Sequence, residues 1–322
     1  MRGKACEVAQ TGKGGSGNGS SRKSARLGAW AAASVLILVP GALSACDVDN
    51  TALDGSAGQT SGEVVVGSGD TAESRVLAEI YAGALRSTGA PASTETGLGD
   101  RTSYLRRLDA GEVTLVPEFT GRLLRYYDPE STEKEQDEVF EALSQALPQG
   151  LSISDYAAAE DRSALAVSAD TSTRMAVTTL DELIPACSRS SAVLTPDFEA
   201  GSLADLTGCT FAQTRAVPDG AAAVAELSVP AQVDGAVVAG VTTATPEVAS
   251  SDLVLLDDDE PIFTAQNVVP LYRVGALGEP QIKSLNVVAG ELTTADLADM
   301  IGQVRGGADS ADVARVWLDA HV

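Results

Sequence analysis

The run Glu63-Val64-Val65-Val66-Gly67-Ser68-Gly69-Asp70 passes directly from a short apolar strand into a turn and then a helix, and this step constrains the fold most. Val76, Leu77, Ile80, Tyr81, Ala84 and Leu85 then recur at helical spacing on one face. Asp70 is expected to cap that helix, with Glu73 three residues on completing a capping box. The step repeats from Asp100, the predicted N-cap of a helix carrying Tyr104, Leu105 and Leu108. That helix leads through Gly111 into the strand Val113-Thr114-Leu115-Val116, which Pro117 is expected to stop. A further helix is predicted over 133–147, and strands at 164–168, 237–241, 253–256 and 268–272. Two helices close the chain, one carrying Leu297, Met300, Ile301 and Val304, the other Val313, Val316 and Trp317. Strands alternating with helices at this pace predict an α/β fold with largely parallel sheets.

The first 45 residues have a different logic. Arg22, Lys23 and Arg26 precede an apolar stretch over 27–43, which ends at Leu43-Ser44-Ala45-Cys46. Positive charge, apolar run and small residues in that order predict a signal peptide. A cysteine directly after Leu-Ser-Ala is the pattern of a lipoprotein, with Cys46 acylated as the new N-terminus. The apolar run is about 17 residues and contains Pro40, short for a stable membrane span. Residues 46–62 are small and polar without periodicity, as a flexible tether would be. Asp47, Asp49 and Asp54 there lack the ligand order of a calcium loop.

Removing residues 1–45 takes six basic residues and one acid from totals of 22 and 45, leaving 16 and 44. A surface that acidic argues against nucleic acid as a partner, because affinity there comes from cations neutralising phosphate. It favours cationic ligands, although solubility alone also explains it. Of four cysteines, Cys6 leaves with the signal and Cys46 takes lipid. Cys187 and Cys209 remain, and in an exported chain a single disulfide is expected.

Several chemistries fail on residue inventory. The one histidine, His321, is next to last, which leaves no credible Ser-His-Asp triad, Cys-His pair or histidine zinc site. No nucleophile elbow or phosphate-binding loop motif occurs. Gly67-Ser68-Gly69-Asp70-Thr71-Ala72 fits a dinucleotide loop only superficially, and reads as a tight turn whose N–H groups can face a ligand. Asp257-Asp258-Asp259-Glu260 beside Pro261 reads as a solvated connection. No carboxylate pair stands out for glycoside chemistry. No enzyme activity, cofactor or metal is therefore expected.

Val64-Val65-Val66-Gly67-Ser68 with Glu73, Leu77, Glu79 and Ile80 resembles the start of the glycine betaine/choline-type (osmoprotectant) substrate-binding family of ABC transporters. Gly97-Leu98-Gly99-Asp100-Arg101, Gly111-Glu112-Val113 and above all Pro117-Glu118-Phe119-Thr120-Gly121 continue the resemblance. So do Leu143-Ser144-Gln145-Ala146-Leu147-Pro148, Glu160-Asp161, and Ala265-Gln266-Asn267-Val268-Val269-Pro270-Leu271. Leu292, Thr293, Val313, Ala314, Trp317 and Leu318 match the closing helices.

The resemblance implies a two-lobed periplasmic-binding-protein-like fold of type II, each lobe a mixed sheet flanked by helices, with the ligand cleft between lobes. One lobe would be 63–157 plus 263–322, the other 158–262, stapled by Cys187–Cys209. It also implies hinge closure around a small quaternary amine and delivery to an ABC permease and its ATPase, at the outer face of the cell membrane. Such an ion donates no strong hydrogen bond and is held by aromatic faces, at roughly 0.5–2 kcal/mol per ring. Phe119 stands at the family's pocket tyrosine, with Glu118 and Thr120 beside it. Asp70 and Thr71 would line the cleft from the first lobe, and Phe198, Thr242 and Thr243 from the second. For Glu118 a buried structural role, and for Phe198 a core role, are equal alternatives. Tyr104, Tyr126 and Tyr127 are further aromatic candidates. The pattern departs from the family at Thr114, at Phe119 without a phenol hydroxyl, near Glu199-Ala200-Gly201 where aromatics are missing, and at Thr243-Ala244-Thr245 without an acid. A ligand-sensing lipoprotein with an altered pocket is the second class these features allow, and an extracellular hydrolase the third.

Overall fold

The computed structural model describes residues 62–228, 235–258 and 261–322. The expected signal segment, the lipidation at Cys46, the tether up to residue 61, and Asp259 and Glu260 of the acidic run lie outside the described residues. The chain begins with β1 (Val64–Gly67), α1 (Ala72–Ser87), β2 (Ala92–Glu95), α2 (Arg101–Ala110) and β3 (Leu115–Phe119). It continues as α3 (Thr120–Tyr127), α4 (Gln136–Ala146), β4 (Leu151–Ile153), β5 (Ser163–Ser168), α5 (Ala169–Met175) and α6 (Leu180–Leu183). Then come β6 (Ser191–Leu194), β7 (Gln213–Ala216), α7 (Gly220–Leu227), β8 (Val237–Thr242), α8 (Pro246–Ala249) and β9 (Leu253–Leu255). The last elements are β10 (Val268–Arg273), α9 (Glu279–Glu291), α10 (Thr294–Arg305) and α11 (Ser310–His321). Among the described residues no helix is long and apolar enough to cross a membrane.

Two five-stranded sheets share one plan. The first has the order β2-β1-β3-β10-β4, the second β7-β6-β8-β5-β9. In the first, β1 pairs parallel with β2 and β3, while β10 runs antiparallel to both β3 and β4. In the second, β6 pairs parallel with β7 and β8, while β5 runs antiparallel to both β8 and β9. Each sheet is thus mixed, with a single reversed strand in fourth place. Helices supply the apolar faces that cover them. Val76, Leu77, Ile80, Tyr81 and Leu85 of α1 are buried with Val288, Leu297, Ile301 and Trp317 from the closing helices, as the periodicity predicts.

Two sequence expectations need correction. Pro117 does not end its strand, because β3 runs through it to Phe119. Pro117 faces Pro270 across the β3–β10 ladder. The bonds Thr120 N to Asn267 O (3.0 Å) and Arg273 N to Thr114 O (3.1 Å) make that pair a non-hydrogen-bonded one. The sites of the missing N–H groups therefore turn outward, past the last residues at which β1 and β4 pair, Leu115 and Leu271. The expected Asp70–Glu73 capping box is also not formed. Thr71 is the N-cap, its hydroxyl accepting from Ser74 N at 3.1 Å, and this one-residue shift releases Glu73 from capping.

Two segments connect the sheets, one between β4 and β5 and one between β9 and β10. They run antiparallel and bridge at Glu160 and Asn267, with Asp161 N donating to Gln266 O at 3.0 Å. Ala265-Gln266-Asn267 then ties this crossing to the β3–α3 junction. Asn267 N donates to Thr120 Oγ1 at 3.1 Å, and Gln266 Oε1 accepts from Arg122 N at 2.8 Å, serving a helix start that Phe119 cannot cap. Gly121 sits so close beneath that a Cβ there would lie 2.5 Å from Ala265 O, which explains the glycine.

Cys187 and Cys209 form the expected disulfide, with Cα atoms 5.2 Å apart. Cys187 is fully buried among Leu165, Leu183 and Phe198, under the second sheet. Cys187→Ser with Cys209→Ser is expected to remove about 3 kcal/mol of stability in the chain-entropy account, measured as a fall in melting temperature that reductant reproduces in the unaltered protein.

Candidate functional site

In open α/β sheets, ligands bind outside the carboxyl ends of parallel strands. Four such ends matter here, those of β1, β3, β6 and β8. They are followed by Ser68–Thr71, Thr120–Arg122, Thr195–Phe198 and Thr243–Thr245 respectively.

At the first of these ends the turn is mostly satisfied by the chain itself. Ser68 N donates to Glu95 O at 2.9 Å and Gly69 N to Ser74 Oγ at 2.9 Å, so neither N–H is free for a ligand. Asp70 Oδ1 accepts from Gly99 N at 3.3 Å and Thr71 caps α1, while both side chains remain exposed. Gly97 and Gly99 hold positive φ (75° and 87°), which folds their loop onto Gly69. A Cβ on Gly69 would approach Gly99 O to 2.9 Å.

Glu118 is 1% exposed and fully engaged. Its carboxylate accepts from Arg101 Nε at 3.0 and 3.2 Å, from Arg101 Nη2 at 3.1 Å and from the Tyr104 hydroxyl at 2.7 Å. Burial, then the Glu118 charge, push the Tyr104 phenol far above its ordinary range. Thr120 is buried against Ala265 and Asn267. Phe198 packs edge-on against Phe263, centroids 5.4 Å apart, in the core of the second sheet. Thr242 shares a hydrogen bond with Thr245 at 3.0 Å. Thr243 Oγ1 accepts from Arg162 N at 3.0 Å and donates to Glu160 O at 3.0 Å, locking the end of β8 to the crossing segment. Glu118, Thr120 and Phe198 are therefore structural in their contacts. Tyr126 and Tyr127 stack edge-on with each other at 5.1 Å.

Phe119 is where the seam between the sheets acquires chemistry. The residue is 5% exposed and belongs to the core of the first sheet, and the Arg122 guanidinium lies over the face of its ring, 4.8 Å from the centroid. Arg122 Nη2 donates to Asp161 Oδ2 at 2.7 Å and to Asp161 O at 3.2 Å. Glu73, from the first turn of α1, meets the same group. Its Oε1 is buried without a hydrogen-bond partner. Burial first, then the charge of Asp161, raise its carboxyl to about 8, with Arg122 pulling the other way and Asp197 adding to the rise. Three groups from distant parts of the chain thus meet, Glu73, Arg122 and Asp161 on the crossing, and the exposed Asp197 after β6 acts on them by charge alone. Two pairs flank them, Arg125–Glu199 at 2.9 Å and Lys134–Asp205 at 2.7 Å, joining helices and loops of the two sheets. Among the described residues no group of three or more His, Cys, Asp or Glu side chains is arranged to hold a metal ion.

Residues 62–320 match the family model for the substrate-binding domain of ABC-type glycine betaine transport systems. The chain belongs to this family. As a family of binding proteins it matches the two-lobed architecture seen in solved structures. A structure described as a glycine betaine/carnitine/choline ABC transporter has a TM-score of 0.69 at 19% identity, covering 80% of this chain and 98% of that one. Apo YehZ from Escherichia coli has a TM-score of 0.66 at 21% identity, again over 80% and 98%. A choline binding protein of an ABC transporter, in complex with choline, reaches 0.50 at 13% identity, over 82% and 90%. No curated protein matches the chain. In this substrate-binding protein, Phe119 is the predicted residue over whose ring the cluster's Arg122 lies. The cluster itself was missed, although Arg122 follows Phe119 at the three-residue spacing that brings helical neighbours together. Asp161 lay within a stretch already singled out.

Proposed function

We propose that this chain is the extracytoplasmic receptor of an ABC importer, tethered by lipid on Cys46, that takes a small quaternary amine between residues 63–157 plus 263–322 on one side and 158–262 on the other. The family match over 62–320 carries this reading. The paired crossing segments support a hinge, since bridging at Glu160 and Asn267 lets both turn together. The ligand's charge is drawn by Asp161 and Asp197, and its alkyl surface seats on Phe119.

Calorimetric titration of the purified protein with glycine betaine, choline, carnitine and proline betaine tests this. Saturable binding to at least one is expected, weakened roughly tenfold or more by Phe119→Ala. A folded sample that gives no heat with any of the four refutes the quaternary-amine assignment.

A further inference from the structure

We propose that Arg122 is this chain's own occupant of the cation site on Phe119, so that Arg122 sets the receptor's affinity by competing with the ligand. The proposal rests on the quaternary-amine reading above and deepens it. Three observations carry it. The guanidinium covers the ring at 4.8 Å, and a residue only 5% exposed beneath it cannot present that face to a second cation. Arg122 stands in the first turn of α3, where the helix dipole opposes positive charge, so α3 itself does not account for the cation's position. Its charge is held instead by Asp161 at 2.7 Å, with the Asp197 charge adding to the pull. An aromatic face under a cation, with a buried carboxylate beside it, is the environment a quaternary ammonium needs, and here an intramolecular cation already fills it.

Binding then requires the arginine side chain to swing away. The apparent affinity equals the intrinsic one reduced by the fraction of molecules with Arg122 displaced. Arg122 is thereby a specificity determinant. Ligands that can replace both the ring contact and the carboxylate contact displace it best, and apolar ligands of the same size do not.

The test compares the unaltered protein with Arg122→Gln, which removes the charge but keeps a planar donor toward Asp161. Arg122→Lys is the milder companion. It keeps a charge beside Asp161 but cannot lie flat on the ring. Thermal melts establish that each is folded. Titration with glycine betaine and choline is expected to show roughly tenfold tighter binding for Arg122→Gln and a smaller gain for Arg122→Lys. Adding Phe119→Ala to Arg122→Gln is expected to abolish the gain. Equal or weaker binding by both variants, with binding by the unaltered protein intact, makes Arg122 a ligand contact or a bystander and overturns the proposal while the receptor reading stands. No binding by any folded form overturns both.

Discussion

Glu118→Ala is expected to lower stability by about 3–5 kcal/mol, the range for removing one partner of a buried ion pair. The carboxylate is 1% exposed and accepts from Arg101 and Tyr104 together. Its loss leaves the buried Tyr104 hydroxyl without an acceptor and Arg101 without a counter-charge. Because Arg101 keeps 30% of its side chain open, it can turn partly to water, which places the effect toward the lower end. Glu118→Gln keeps an acceptor for Tyr104 and should cost about half as much. Chemical denaturation measures both. Binding per folded molecule should change far less than stability in each, because the carboxylate meets the cluster only through the Phe119 backbone N–H, at 3.2 Å, and touches neither the ring nor Arg122. A variant that stays fully stable would show that the Arg101–Glu118–Tyr104 group does not hold the end of β3.

The second large effect concerns pH. In the unfolded chain Glu73 ionises in the ordinary carboxylate range, near 4.5, whereas in the folded protein burial and Asp161 hold its proton to about 8. Between these values the folded state binds a proton that the unfolded state has lost, so stability falls as pH rises through the window. Above about pH 8 both states are ionised and the cost of burying the charge is complete. The swing is on the order of 4 kcal/mol. Acidification from pH 8.5 to pH 5.5 should therefore raise the melting temperature by several degrees. Glu73→Gln should be more stable than the unaltered protein at pH 8.5, with the difference vanishing near pH 5. Parallel melting curves for the two proteins across that range would mean that Glu73 is not the titrating group.

The legible parts of the fold were those with a buried face. β1, α1, β5, β8, β10 and the closing helices announced themselves because each contributes apolar residues to a core at its own period. Their counterparts at the sheet edges did not. β2 is Ala-Ser-Thr-Glu and β7 is Gln-Thr-Arg-Ala, fully exposed in β7, and both exist as strands through backbone pairing to β1 and β6. Pairing of that kind leaves no trace in hydropathy. Pro117 misled for a related reason, since its tolerance depends on its register against β10, far along the chain, and on where β1 stops pairing. The site was less legible still. Phe119 became a candidate through its motif, but the Arg122–Asp161 contact spans 39 residues and joins an ion pair to an aromatic face only once both sheets exist. Asp70 and Thr71 carried good turn signals and proved to be engaged by the turns themselves.

The place of β10 has a consequence in time. A chain emerging N-terminus first delivers β5 through β9 as one contiguous stretch, so the second sheet can close as soon as Leu255 has appeared. The first sheet cannot. Its strands β3 and β4 are joined only by β10, and the Asn267–Thr120 bond that seats this strand closes 147 residues. The helices that cover α1 arrive later again. The earliest part of the domain to be made is thus the last to be finished, with Val66, Leu77 and Leu115 left uncovered meanwhile. A truncation before Val268 would strand that half as an open, aggregation-prone intermediate beside a completed neighbour.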